Sequence, residues 1–129
     1  MNAIGVNRDE LIAALRRDAA GSLPQAAAIE LLIAHGHWLR RDPFLTCITF
    51  HPADAAGPAV AIPAWAAVGV LLDYAEEGGL PDTDSQRAVL GVAASLGGGY
   101  RVDLRDVTLC DPRTVVLVSQ ASLTAGGAP

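Results

Sequence analysis

Nine consecutive residues set the first constraint on this chain. From Ala26 to Ala34 the only charge is Glu30. Ser22, with Gln25 three residues on and Pro24 between them, reads as the start of a helix, and Gly36 as its stop. A helix that is apolar nearly all round has no face to give to water, so other elements must cover it on several sides. The chain has 129 residues, the length of one domain, 1–129. Such a length buries roughly two-thirds of its unfolded surface, enough for a core without staples.

The composition supplies that cover. Apolar residues make up 51% of the chain and charged ones 18%, a folded composition and not a disordered one. Roughly one residue in five is alanine, the best helix former, and there are nine arginines but no lysine, a bias typical of GC-rich coding. The net charge is −5 and unevenly placed. Asp54, Asp73, Glu76, Glu77, Asp82 and Asp84 fall in the middle third, which has no arginine. That third repels phosphates, so no nucleic-acid partner is expected. The opening residues lack a basic start and an apolar run, and no stretch approaches the ~20 apolar residues of a membrane span. A cytoplasmic protein with no membrane partner is the expectation.

Helix signals recur along the chain. Asn7 caps a first helix led by Asp9 and Glu10, with Leu11, Ile12, Leu15 and Ala19 on one face and Gly21 at its end. It forms an antiparallel pair with the helix that follows Ser22. His37–Arg41 adds a helical turn. The β-branched and aromatic run from Phe44 to His51, the turn-rich loop 52–58 and the run 59–62 predict a small two-stranded β-hairpin around residues 44–63. Pro63 opens a third helix running to about Glu77. Thr83 and Gln86 form a capping box for a fourth, stopped by the flexible joint Gly97-Gly98-Gly99. Residues 102–109 fit a short helix or a strand. Asp111-Pro112 predicts a helix through Leu123, against the strand propensity of Val115–Val118, and the tail frays from about Ala125. The predicted class is mainly α: four main helices, one or two short ones, and the hairpin. Leu11, Leu15, Ile29, Leu32, Ile33, Trp65, Leu72, Val89 and Leu96 form the predicted core.

Several stretches resemble a family of small actinobacterial (GC-rich Gram-positive) proteins of unknown function. They are Ala34-His35-Gly36-His37-Trp38-Leu39-Arg40-Arg41, Ala64-Trp65-Ala66-Ala67 with Gly79-Leu80-Pro81, Ala93-Ala94-Ser95-Leu96 and Val102–Val107. The resemblance implies a cytoplasmic bacterial protein and brings no catalytic residues with it.

Chemistry-bearing residues are few. His35, His37, Cys47 and His51 include every histidine and half the cysteines within seventeen residues, and imidazole and thiolate ligands suit zinc. Their spacing argues against a site, because no Cys-x-x-Cys or His-x-x-x-His pair is present. His35 instead sits at a helix C-terminus, where a charged imidazole is favoured. Cys47 and Cys110 lie among apolar neighbours and read as buried free thiols. There is no Gly-x-Ser-x-Gly elbow, and Gly97–Gly99 is no phosphate loop. Arg40 or Arg41 is expected to pair with Glu30 or Asp42. No catalytic residue, cofactor or metal is therefore expected.

What remains is an excess of apolar surface. Val70 and Leu71 lie off the Trp65/Val68/Leu72 face, and Val115 and Leu117 pose the same problem, so these four are the candidate interface residues. The expectation is a non-catalytic, self-associating protein–protein interaction module, most simply a two-fold homodimer. The alternatives are a DNA-associated regulator of an operon or mobile element, and a metal- or small-ligand-binding protein using the His/Cys cluster.

Overall fold

A computed structural model describes residues 1–127. Its element order is α1 (Arg8–Ala19), α2 (Leu23–His35), a 3₁₀ turn (Trp38–Arg40), α3 (Asp42–Leu45), β1 (Ile48–His51), β2 (Val60–Pro63), α4 (Trp65–Glu76), α5 (Asp84–Gly98), α6 (Leu104–Thr108) and α7 (Pro112–Ala125). The protein is mainly helical with one antiparallel hairpin, and five of its helices have twelve residues or more. The end of the predicted frayed tail, residues 128–129, lies outside the described residues.

The helix at 23–35 is central. Ala27, Ala28, Ile29, Leu31 and Leu32 are all buried in it. Its main neighbours are α5 and α7, with α1 wedged between it and β2. The capping signals read from the sequence are in place. Asn7 accepts from the backbone N–H groups of Asp9 and Glu10, Ser22 from Gln25, and Asp111 from Thr114. Thr83 and Gln86 complete the reciprocal box. Gly36 ends α2 at φ 81°, a left-handed conformation open to glycine at little cost.

Six of the nine predicted core residues are buried, while Ile33, Trp65 and Leu96 pack against the core half-covered. The largest buried side chains, Trp38 and Phe44, were not among those nine. Phe44 points to a correction. The segment 44–47 was expected to be extended, but Asp42–Leu45 form a helical turn and the strand begins only at Ile48. Pro43 pre-sets the helical φ there, and the Thr46 hydroxyl donates to the Pro43 carbonyl at 2.8 Å. Pro63 likewise closes β2 opposite Ile48, and α4 starts two residues later. The ambiguous segment 102–109 contains α6, and Val115–Val118 lie inside α7.

The glycine run is not a flexible joint. α5 continues through Gly97 and Gly98, and only Gly99 turns left-handed, at φ 77°. The reason is Trp65. A β-carbon at Gly97 would sit 2.3 Å from the Trp65 ring, and one at Gly98 2.3 Å from Trp65 Cβ. The glycines seat the first residue of α4 against the last turn of α5.

This packing predicts the outcome of three substitutions. Leu32→Ala should cost roughly 2–5 kcal/mol by opening a cavity in the middle of the core; a loss under about 0.5 kcal/mol in urea denaturation would contradict the central place of α2. Gly97→Ala should destabilise by about 1–3 kcal/mol through overpacking on Trp65. At Gly91 a β-carbon meets only Val102, at 3.7 Å, so Gly91→Ala should be neutral or stabilising by up to about 1 kcal/mol.

Candidate functional site

The polar centre of the molecule is built from residues far apart in sequence. Asp82 lies in the loop between α4 and α5, and its side chain is only 2% exposed. Arg41 grips it with two bonds, Nε donating at 2.9 Å and Nη2 at 3.0 Å. His37 Nε2 lies 2.6 Å from the same carboxylate. Arg87 donates to the Asp82 backbone carbonyl and pairs with Asp84. Beside this cluster the Trp38 indole N–H donates to the Gln86 carbonyl at 2.7 Å. The 37–41 turn is thus fastened to the loop before α5 and to its first residues by both charge and packing.

Burial pushes the Asp82 carboxyl up, but Arg41 and His37 outweigh it and hold the group below the ordinary carboxylate value. The pairing corrects an expectation: Arg41 binds Asp82, whereas Glu30 pairs with Arg16 at 2.8 Å. The cluster resembles a His–carboxylate dyad, yet it is not arranged as a general base. Arg41 neutralises the carboxylate, and among the described residues no hydrogen bond joins His37 to a hydroxyl or thiol.

The four candidate metal ligands do not converge. His35 and His37 face each other edge-on with ring centroids 6.1 Å apart. Cys47 sits in the turn before β1 and donates to the Pro43 carbonyl at 3.5 Å. His51 is exposed at the end of β1. Among the described residues, no three His, Cys, Asp or Glu side chains stand within reach of one ion. Burial also pushes the Cys47 thiol up, away from a nucleophilic thiolate. For His35 the charged form, expected to be favoured, is disfavoured. Burial pushes its imidazole down, His37 and Arg113 add to that, and Asp111 opposes them only in part. Its Nδ1 is buried with no hydrogen-bond partner among the described residues.

An open groove of about 450 Å³ runs between α4, α5 and α6, floored by Leu72, Gly91 and Val102 and edged by Glu76, Asp103 and Arg101. Tyr100 closes one side. Its hydroxyl donates to Asp73 at 3.0 Å, and burial together with Asp73 raises its pKa to about 12.

The candidate interface residues divide. Val70 is 69% exposed. Leu71 and Leu117 are half-buried against the core, and Val115 is half-buried. Helical spacing turns Thr114, Val118 and Ala121 inward on α7, so Val116 is the exposed member of that run. Tyr74, 54% exposed one turn after Val70, was not singled out from the sequence, although the Ala66-Val70-Tyr74 spacing marks one helix row. Comparison with known proteins adds no relative: no protein-family model matches the chain, and no curated protein or solved structure does. No helix among the described residues is long and apolar enough to cross a membrane.

Asp82→Ala should cost about 3 kcal/mol, the low end for breaking a buried pair, because Arg41 keeps 31% of its side chain in water and can rehydrate. The pH dependence has a definite sign. The folded pKa of Asp82 is depressed, so its contribution is complete above the unfolded value near ~3.9 and is lost as pH falls through that value toward the lower folded one. Urea midpoints followed from about pH 6 down to about pH 2 should therefore fall less steeply for Asp82→Asn than for the parent. Parallel curves would show that the carboxylate does not carry the joint.

Proposed function

We propose that this protein is a non-catalytic interaction module that works as a homodimer. One observation carries the reading: the outer face of α4 presents Val70 and Tyr74 to solvent on a helix whose opposite face is already spent on the core. Exposed apolar patches on a folded domain mark association sites. The polar cluster at Asp82 supports the reading indirectly, because its charges are consumed in holding the fold. The resemblance noted above and the composition support a bacterial, cytoplasmic setting.

The DNA-regulator alternative has weaker support. Arg16 is bound to Glu30, Arg41 to Asp82 and Arg87 to Asp84, while Arg17 donates to the Ala59 carbonyl. These four are committed within the molecule and poorly placed to gather on a phosphate backbone. Metal binding by the His/Cys cluster would require Cys47 and His51 to move toward His35 and His37.

Light scattering coupled to gel filtration at tens of micromolar should give twice the chain mass of 13.3 kDa. Val70→Glu should give the single-chain mass, with the stability of the isolated subunit within about 0.5 kcal/mol of the parent, as for other exposed positions. Leu71 is unsuited to this test because it packs on the core. A parent protein of single-chain mass would overturn the reading.

A further inference from the structure

We infer that the second copy docks on α4 as an antiparallel helix pair with Val70 on the two-fold axis. The inference rests on the self-association proposed above and says how it is built. α4 packs on α5 through its inward residues Val68, Leu72 and Ala75. Its outward row is Ala66, Val70 and Tyr74, with Ala67 beside it, all exposed. Reversing the helix on itself about Val70 sets each residue that many places before 70 against the one as many places after it. Tyr74 then faces Ala66 of the partner subunit, a large side chain over a small one, and this happens twice. The small residues allow close approach, and the ring is already placed. Tyr74 lies against Gly79, where a β-carbon would come within 2.3 Å of it. Little side-chain freedom is lost on docking.

Charge selects the same direction. α4 begins at an N-cap, Ala64, that offers its first N–H groups no side-chain acceptor. It ends among Asp73, Glu76 and Glu77, with no basic residue in its last turn. Within one subunit the start of α4 is uncompensated and its end opposes the helix dipole, since acids are favoured at the start of a helix and disfavoured at its end. In an antiparallel pair, Glu77 comes beside the uncapped first turn of the partner's α4, and each end supplies what the other lacks. A parallel pair would set acid against acid. Other apolar residues are exposed too, Leu104, Leu109, Val116 and Leu123 among them, but on α7 the polar Ser119 and Gln120 lie between Val116 and Leu123, so that helix presents no continuous apolar row.

Disulfide mapping on the full chain, in a Cys47→Ala, Cys110→Ala background, tests the arrangement. Val70→Cys should oxidise to a covalent dimer in high yield. Ala66→Cys or Tyr74→Cys alone should not, but the two mixed should cross-link to each other. A second arm uses Ala64→Asp, which caps α4 within its own subunit but meets Glu77 of the partner with like charge. It should raise the unfolding midpoint of the isolated subunit and weaken the dimer at least fivefold, an effect that Glu77→Gln should relieve. If light scattering reports a dimer but Val70→Cys fails to cross-link and Ala64→Asp leaves the dimer unchanged, the α4 pairing is wrong while self-association stands. A monomeric parent removes both.

Discussion

The burial of α2 is the constraint from which the rest of the architecture derives. A helix apolar on nearly every side must be enclosed, and α1, α5 and α7 enclose it. With those positions taken, α4 packs chiefly on α5. α4 is therefore an outer-layer helix built with a near-core composition, and its outward row stays apolar. The exposed face is a consequence of how the core was filled, not an isolated feature of one helix.

The local layers of this arrangement were legible in the sequence. Caps at Asn7, Ser22, Thr83 and Asp111 act through neighbours two or three residues away, so a one-dimensional reading finds them. The cap at Asp111 correctly outweighed the strand propensity of Val115–Val118. The failures are non-local. Arg41 and Asp82 are 41 residues apart, and nothing in either neighbourhood marks the other as partner. Trp38 is fully buried because α5 presents a carbonyl to its indole, which a lone tryptophan in a short polar turn does not announce. Gly97 and Gly98 look like a helix stop in sequence, and only the position of Trp65 shows that they are a seat.

The candidate site was legible by composition and illegible by geometry. The grouping of His35, His37, Cys47 and His51 in sequence dissolves because α3 and the hairpin intervene. Cys47 is turned onto its own turn and His51 to the hairpin's outer side. His37 is recruited by Asp82 instead. On α4 the sequence reading singled out Val70, which is exposed in the structure. The neighbouring Leu71 went the other way because a helix advances by about 100° per residue, enough to carry the next side chain from the outer row to the core margin.

The buried polar joint and the exposed apolar row are mechanically linked. α4 is fixed at its start by the Ala64 N–H bond to the Cys47 carbonyl and by Trp65 on the α5 glycines. At its far end the chain leaves through Gly78 and Gly79, the latter under the Tyr74 ring, and six residues after Glu76 it reaches Asp82. Arg41 and His37 anchor that carboxylate to the turn that follows α2. Tyr74 holds its orientation only while Gly79 stays beneath it, and Gly79 is positioned by a loop whose one buried side chain is Asp82. The buried carboxylate at Asp82 thereby sets, through the loop that joins them, where Gly79 and the Tyr74 ring sit at the far end of α4.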